Sequence, residues 1–388
     1  MSIKKTILLI ASLLSVLSSK GQDVSAHSFA EGELSVKMET MAFFRDNEFN
    51  GDIQKGYTLP GAWIRPAIAY NPLDNVHLEA GASALFFSGA NKYPCWAYHD
   101  IAKWKGNQYQ DGIHVLPWLR AEMKTGRFDI VLGNIYGGTY HGLSTPLYNK
   151  EQILSADPEM GAQIIYDTRK FHLDTYCNWQ SFQFREDTHQ EAFTVGIVAK
   201  YRPFNTDGWK NLQLNSVILA QHRGGELDIT DHGVQTLGNG SIGLSWENTY
   251  IGTVNRLRFE ADAMGCYQQK GTLWHFDSGA AYNASVTIGF LRDLHTQIGY
   301  FHAPGNFVSL YGSPFFSTIS LIHPDVKYKG LKTAYLDFGY SHTFGKAYTL
   351  GANVEAYSVH PSGGKSDTSF SFGLYMHLNP EILIKKFK

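Results

Sequence analysis

The sequence has few of the features that mark helical membrane proteins or binders of acidic polymers. After residue 21 no apolar run is long enough to cross a bilayer as a helix, and the mean hydropathy is −0.23. The formal net charge is only −2, which argues against a general role in binding nucleic acid. Hydropathy alone is compatible with a soluble secreted protein. It is equally compatible with a membrane β-barrel, because polar and apolar residues alternate along barrel strands.

Cysteine is also scarce, and the common metal-binding spacings are missing. The three cysteines, Cys95, Cys177 and Cys266, lie far apart, and an odd number leaves at least one unpaired. This argues against a disulfide framework. The sequence has neither an H-E-x-x-H nor a C-x-x-C motif. We predict no metal and no cofactor.

The first residues are typical of a secretory signal peptide. Two lysines precede an apolar run at residues 7–17, and small residues precede Gln22. The apolar run is too short for a transmembrane anchor. We predict a cleaved signal peptide at 1–21, followed by a single exported domain at 22–388.

Strict alternation of apolar and polar residues organises the segment 112–138. Val115 and Leu119 lie on one parity of its first arm, and Arg120 lies on the other. A period of two indicates a β-strand with one apolar face. The second arm repeats the pattern after the short polar stretch 124–127, so the two arms form an antiparallel hairpin.

Fourteen further segments show the same alternation, which with the two strands of the hairpin makes sixteen in all. Connections after even-numbered strands are mostly short and those after odd-numbered strands are mostly long. The predicted strands are 32–45, 57–70, 75–88, 111–124, 127–136, 158–167, 170–183, 190–203, 210–223, 234–248, 253–267, 277–291, 294–303, 331–343, 347–359 and 367–378.

This rhythm predicts an all-β fold, a transmembrane antiparallel up-and-down β-barrel in the outer membrane. It has about 16 strands, with short periplasmic turns, long extracellular loops and both termini on the short-turn side. Fourteen strands would fit if one weak hairpin were misassigned. The tail 379–388 is expected to hang in the periplasm. A soluble sandwich or propeller is disfavoured, because the strand-plus-turn spacing is often near twenty residues and no blade motif repeats.

The polar parity of the strands would line the lumen of this barrel. About sixteen strands leave an aqueous channel unless something plugs it, so the wall would set the selectivity of a pore. The alternative is a wall of Arg–carboxylate networks that only stiffen the barrel. The predicted wall is mixed in sign and slightly acidic, and we expect it to favour cations. Its residues are Arg65, Glu79, Arg120, Glu122, Asp129, Asp174, Arg258, Glu260, Asp262, Asp337 and Glu355.

Three long loops have a high apolar content. Loop 137–157 follows two glycines that can bend the chain inward, and we predict that it narrows the lumen. Loops 89–110 and 304–330 are rich in aromatic residues, which could stack on sugars, cap the barrel mouth or contact a partner. The constriction residues of the first loop would be Tyr140, His141, Leu143, Leu147 and Tyr148.

The sequence has candidate catalytic side chains in its loops but no diagnostic catalytic motif. His141 stands three residues before Ser144, and Asp157 follows in the same loop. Acyl hydrolysis needs a hydroxyl, a histidine and a carboxylate or amide that converge in space, and no known motif surrounds these residues. We therefore predict that the chain is not an enzyme. A barrel enzyme that acts on lipid is kept as the third hypothesis.

The whole mature chain resembles the porin-like outer-membrane barrels of the Bacteroidota. The resemblance is carried by the signal peptide ending in SKGQ, the even strand count, the turn–loop rhythm and the segment GNIYGGTYHGLSTPLYN at 133–149. It differs from many barrels in that Lys388 follows the terminal aromatic Phe387.

These observations predict a channel for passive diffusion of small hydrophilic solutes. The alternative is a structural or accessory barrel of a larger envelope complex, with a lumen closed by loops. The expected partners are outer-membrane lipid, lipopolysaccharide and the solutes, with no nucleic acid. A homo-oligomer or an envelope-complex partner is left open.

Overall fold

The computed structural model of the protein describes residues 30–88, 94–98, 113–182, 190–204, 211–225, 233–250, 252–323 and 325–387. The predicted signal peptide lies outside the described residues. The strands are β1 (Glu33–Glu48), β2 (Tyr57–Leu73), β3 (Val76–Phe87), β4 (His114–Thr125), β5 (Phe128–Asn134), β6 (Met160–Asp167), β7 (Phe171–Ser181), β8 (Ala192–Tyr201), β9 (Leu212–Arg223), β10 (Gln235–Thr249), β11 (Val254–Lys270), β12 (Ser278–Phe290), β13 (Leu294–Ala303), β14 (Leu331–Phe344), β15 (Tyr348–Pro361), β16 (Asp367–Leu378) and β17 (Glu381–Lys386).

The described helices are short and lie in the loops. No helix among the described ranges is long and apolar enough to cross a membrane. The helical segments are an α-helical turn at Gln152–Ser155 and 3₁₀ turns at Trp96–Tyr98, Gly138–His141, Thr145–Leu147 and Pro314–Phe316.

The strands form one closed antiparallel barrel. Consecutive strands pair along the chain from β1–β2 to β15–β16. The ring closes where β16 and β17 both pair with β1. Closure leaves no exposed sheet edge, so the backbone groups of the wall are satisfied within the protein. β16 and β17 together make the sixteenth wall strand. The prediction of a closed up-and-down barrel of about 16 strands is confirmed.

The tail at 379–388 departs from the prediction. β16 pairs with β1 from Thr40 to Glu48, and β17 continues along β1 from Glu33 to Lys37. Pro380 separates the two strands because proline has no N–H to donate to the ladder. The expectation that the tail hangs free in the periplasm is therefore wrong. β1 is 16 residues long, and the tail satisfies the edge that β16 leaves unpaired.

The two faces of the wall follow the alternation of the sequence. Large apolar side chains on the outer face are 37–70% exposed, among them Ile68, Ile242 and Ile298. In a membrane this band contacts lipid. The lumen-facing parity carries the polar and charged side chains, which are mostly buried.

Parts of three long loops fold into the lumen at the loop end of the barrel. Leu147, Phe307, Phe315 and Phe316 are all at most 1% exposed. The ring of Phe316 packs against lumen-facing Phe301, with 5.3 Å between centroids. Further buried residues of this plug come from the segment 94–98. We call this packed region the loop plug; it consists of residues 94–98, 135–156 and 304–323.

Candidate functional site

A polar cavity of about 860 Å³ occupies the lumen on the short-turn side of the loop plug. Residues at the short-turn ends of strands line it, including Glu33, Asn71 and Lys124. Its walls come from β1 to β5 and from the C-terminal strands, and Tyr148 and Ile153 of the loop plug line it as well. The cavity therefore spans from the plug to the short-turn end.

Glu79 is the centre of a charged network in this cavity. Its carboxylate forms an ion pair with Lys37 and accepts a hydrogen bond from Nε1 of Trp118 at 2.8 Å. Nε2 of His77 lies 2.9 Å from the same carboxylate, and Nη1 of Arg120 lies 3.9 Å away. Cationic and neutral donors thus surround a single buried carboxylate, which stabilises its charge.

Arginines and aromatic rings alternate along one wall of the cavity. The guanidinium carbon of Arg65 lies 3.8 Å from the ring centroid of Trp63 and 5.3 Å from that of Trp118. Arg120 lies between Trp118, at 5.1 Å, and Tyr136, at 4.2 Å. Such cation–π contacts hold the guanidinium groups against the wall. These arginines therefore have fixed positions in the structure.

A second network ties the loop plug to the wall. Nη2 of Arg45 lies 2.7 Å from Glu355 on β15, and its Nε lies 3.1 Å from Glu151 in the plug. Lys150 of the plug pairs with Asp337 on β14 at 2.5 Å. Two carboxylates that were predicted to line an open pore, Asp337 and Glu355, thus bind cations and hold the plug.

His141 is clamped between two carboxylates. Its Nδ1 lies 2.7 Å from Asp174 and its Nε2 lies 3.1 Å from Glu159, and its ring stacks on Tyr176 with centroids 3.6 Å apart. Burial opposes protonation, but the carboxylates of Glu159 and Asp174 raise the pKa of His141 to about 9. The side chain is therefore a buried imidazolium at neutral pH.

This geometry removes the catalytic group that the sequence suggested in loop 137–157. Both ring nitrogens of His141 are engaged by carboxylates, so neither can accept a proton from a hydroxyl. The hydroxyl of Ser144 is buried and has no hydrogen-bond partner among the described residues. His141 and Ser144 therefore do not form a nucleophile and base pair.

The other predicted wall residues face the lumen as well. Glu122 accepts a hydrogen bond from the hydroxyl of Tyr136 at 2.6 Å, and Asp129 lines the cavity. Arg258 pairs with Glu260, and Asp262 accepts a hydrogen bond from Asn283 at 3.3 Å. The predicted constriction residues Tyr140, His141, Leu143, Leu147 and Tyr148 lie in the loop plug or beside the cavity. Their part in selectivity stays a prediction.

A histidine–hydroxyl group lies on the opposite, outward face of the barrel. On β15 the lumen-facing residues Tyr357 and Val359 are buried, so Ser358 and His360 point outward at the loop end. Oγ of Ser358 lies 3.0 Å from Nε2 of His360. Nδ1 of the same ring lies 2.8 Å from Oγ of Ser366. The imidazole is thus held between two hydroxyl groups.

A second outward-facing pair lies on another side of the same rim. Nδ1 of His222 on β9 lies 3.2 Å from Oγ1 of Thr236 on β10, and the two residues are directly opposite in register. The ring of His222 packs beside Phe193, which stacks on Trp179. A single hydrogen bond positions this imidazole, compared with two for His360.

No group of three or more His, Cys, Asp or Glu side chains is arranged to hold a metal ion within the described part of the chain.

A comparison with known protein families shows to which family the chain belongs. The family described as lipid A 3'-O-deacylase-type matches residues 24–387. The chain belongs to this family. The match covers nearly the whole barrel, including both rim groups. No curated protein matches the sequence.

Solved structures similar to the chain share its fold. OccK5 (OpdH) of Pseudomonas aeruginosa is 11% identical with a TM-score of 0.52, covering 91% of this chain and 100% of that one. OccK9 (OpdG) of the same organism is 11% identical with a TM-score of 0.51, covering 90% and 98%. OccAB4 of Acinetobacter baumannii is 11% identical with a TM-score of 0.50, covering 91% and 99%. This member of the lipid A 3'-O-deacylase-type family thus has the fold of a porin-like outer-membrane barrel.

The prediction that the chain is not an enzyme is wrong. The description of its family names a deacylase, and the family match covers the whole barrel. The catalytic candidates visible in the sequence lie in a loop, whereas the two histidine–hydroxyl groups lie mainly on strand faces. Ser358 and His360 are two residues apart, the spacing that places side chains on one face of a strand. That signal was available in the sequence SVHPS at 358–362.

The aromatic loops also differ from expectation. Trp96, Tyr98, Phe315 and Phe316 were expected to cap the mouth, stack on ligands or contact a partner, but all four are buried in the loop plug. The remainder of loop 89–110 lies largely outside the described residues. The apolar side chains that the structure describes in these loops fill the lumen, so they offer no exposed docking surface.

Proposed function

We propose that this protein hydrolyses an ester-linked acyl chain of lipid A at the outer rim of the barrel. The observation that carries the proposal is the series Ser358–His360–Ser366, which faces the membrane in a chain of the lipid A 3'-O-deacylase-type family. A nucleophile hydrogen-bonded to a base, with the base oriented by a third group, is the arrangement that acyl transfer requires.

The hydrogen bonds assign a role to each side chain. When Nδ1 of His360 carries the hydrogen, it donates to Ser366, and Nε2 is left to accept the proton of Ser358. Oγ of Ser358 attacks the ester carbonyl carbon as Nε2 takes its proton. The sugar hydroxyl then leaves with that proton, and the acyl chain stays on Ser358. Water, deprotonated by the same nitrogen, releases the fatty acid and restores the serine.

The position of the group suits a membrane lipid. His360 lies one residue from the loop end of β15, where the outer leaflet would meet the barrel. Toward the membrane centre the outward face becomes apolar, with Val354 on β15 and Phe370 on β16 both exposed. An acyl chain lying against this band would place its ester bond near the boundary, at the level of Ser358.

The test is hydrolysis of purified lipid A by the protein in detergent, with the lost acyl chain identified by mass spectrometry. We expect Ser358→Ala and His360→Gln to lower the rate by about 10²–10⁴-fold, because each removes a proton-transfer partner. The matched control is Thr236→Val, which removes the hydroxyl of the other rim pair and should leave the rate unchanged. Heat-modifiable migration on a gel verifies that each variant is folded.

Three results would refute the proposal. One is a wild-type protein, shown to be folded, that removes no acyl chain. Another is full activity in Ser358→Ala. The third is loss of activity in Thr236→Val with full activity in His360→Gln, which would move the catalysis to His222.

Passive diffusion, which sequence analysis predicted, is a second candidate function. It is favoured by the porin-like fold and by the polar cavity that reaches the short-turn end. It is opposed by the loop plug. Single-channel conductance in a planar bilayer, compared with a variant that lacks residues 139–155, tests it. Conductance that rises in the variant would support a pore, and silence from both folded proteins would end this hypothesis.

A further inference from the structure

Three nitrogen-bearing side chains form a row on the outward face beside Ser358. His302 on β13 is directly opposite Lys332 on β14, and Lys332 is directly opposite His360 on β15. Their neighbours in sequence, such as Phe301, Leu331 and Thr333, are buried in the lumen, which fixes the outward direction of the row. Directly opposed residues have Cβ atoms about 4.5–5.5 Å apart, so the three side chains are close enough to contact one ligand.

The row has no internal anion to balance it. Lys332 makes no ion pair, and His302 no hydrogen bond, with any residue that the structure describes. Three cations of the lumen differ from Lys332, because Lys37, Arg45 and Lys150 each pair with a carboxylate. Lys332 is exposed, and its position across from His302 offers ammonium and imidazole N–H donors to the same volume.

The row lies where the apolar band of the barrel begins. Two residues closer to the membrane centre on β13 is Tyr300, which is exposed, and four residues closer on β14 is Leu336, also exposed. A lysine at such a boundary sits at the level of lipid headgroups. The same rim also carries an acidic outward residue, Asp46 on β1, which is separated from β15 by β16 and is bonded to Thr58.

We propose that Lys332 and His302 bind a phosphate group of an anionic glycolipid in the outer leaflet and so orient its ester bond toward Ser358. This inference rests on the proposed function, since it names the substrate feature that the same site recognises. Phosphate oxygens accept hydrogen bonds from ammonium and imidazole N–H groups, and charge-assisted hydrogen bonds are the stronger kind. Lys332 is diagonal to Ser358 across the β14–β15 pair, a separation that a long side chain can span.

Binding is measured separately from hydrolysis by working in a Ser358→Ala background. Native mass spectrometry of the detergent-solubilised protein gives apparent affinities for bisphosphorylated lipid A, for the same lipid after chemical removal of its phosphates, and for phosphatidylglycerol. We expect the bisphosphorylated lipid to bind most tightly. Lys332→Gln should weaken its binding about tenfold, the loss of one charge-assisted hydrogen bond, and His302→Gln should weaken it less. The matched control is Lys55→Gln, because Lys55 is an exposed lysine in the loop between β1 and β2, outside the row. This substitution should leave the affinity for each lipid unchanged.

The outcomes separate this inference from the proposed function. Equal affinity for the lipid with and without phosphates, or an unchanged affinity in Lys332→Gln, would overturn the inference even if the wild type hydrolyses lipid A. Equal binding of phosphatidylglycerol would also overturn it, because the row would then recognise any anionic lipid. A phosphate preference that depends on Lys332, in a protein that removes no acyl chain, would support the binding site and refute the enzyme.

Discussion

The lumen and the outer rim of this barrel differ in the burial and the pairing of their charged side chains. In the lumen Arg45 and Glu79 are buried and each contacts an oppositely charged group. On the rim Lys332 is exposed and unpaired among the described residues, and His360 contacts only hydroxyl groups. Paired buried charges are costly to break and hold a structure together, whereas unpaired groups at a membrane boundary remain available to a ligand.

This difference between lumen and rim indicates that the outward face, and not the lumen, carries the candidate site. Sequence analysis assigned the polar parity to a conducting pore, because an aqueous lumen is what sixteen strands usually enclose. In the structure three of these wall carboxylates, Asp174, Asp337 and Glu355, belong to the ion pairs that hold the loop plug. The comparison predicts that substitutions in the lumen mainly lower stability, whereas substitutions at the rim mainly change activity.

The largest expected effect in the lumen is that of Arg45→Met. It leaves Glu151 and Glu355 buried without their cation, and we expect it to lower the free energy of unfolding by about 3–5 kcal/mol. Arg256→Met is the matched control, because Arg256 pairs with Glu247 in an exposed position and should cost at most about 1 kcal/mol. Urea unfolding of the protein in lipid vesicles, followed by tryptophan fluorescence, measures both. If both variants lost the same free energy of unfolding, buried ion pairs in the lumen would contribute no more to stability than exposed ones.

A smaller effect is expected from the titration of His141. Its pKa is raised from 6.5 to about 9 in the folded protein, so its ion pairs stabilise fully below about pH 6.5, and this stabilisation is lost as pH rises through 9. The contribution is on the order of 3 kcal/mol. We expect His141→Gln to be less stable than the wild type at pH 6 and to differ little from it near pH 10. A constant difference over this range, measured by the same unfolding assay, would show that His141 acts without its charge.

The smallest effect compares two threonines. Oγ1 of Thr333 in the lumen donates to the carbonyl oxygen of Phe315 in the plug at 2.7 Å, whereas Thr58 on the rim bonds to Asp46 in an exposed position. Thr333→Val leaves a buried carbonyl unsatisfied, and we expect a loss of about 1–3 kcal/mol. Thr58→Val should change stability by less than about 0.5 kcal/mol. If the two variants lose the same stability, the loop plug is more hydrated than the structure indicates.

The fold could be predicted from the sequence in considerable detail, and the candidate site could not. β4 and β5 follow from alternation that is visible in 112–138, and the turn between them follows from a short polar stretch with Gly126, whose φ is +61°. The path of β17 was missed because Pro380 looks like the end of a strand. The tertiary register, which no local pattern reports, returns the chain to β1.

The rim group was missed for a related reason. Ser358 and His360 are neighbours on one strand face, but Ser366 comes from the following loop, and Lys332 and His302 come from strands 26 and 56 residues away from Ser358 in sequence. Only the strand register shows that they lie side by side. His141 and Ser144 are close in sequence, but the carboxylates that occupy His141 are Asp174 on β7 and Glu159 immediately before β6.

The alternation of residues was enough to define the barrel, its strand number, its lipid-facing band and its polar lumen, because these depend on the parity of each side chain within its own strand. Whether the lumen is filled was decided by the loops, whose burial depends on contacts between residues more than 150 positions apart, such as Ser309 with the carbonyl oxygen of Pro146. The rim group likewise depends on strand pairing around the barrel. Parity is a local property of a chain, whereas packing and register are set only when the barrel closes.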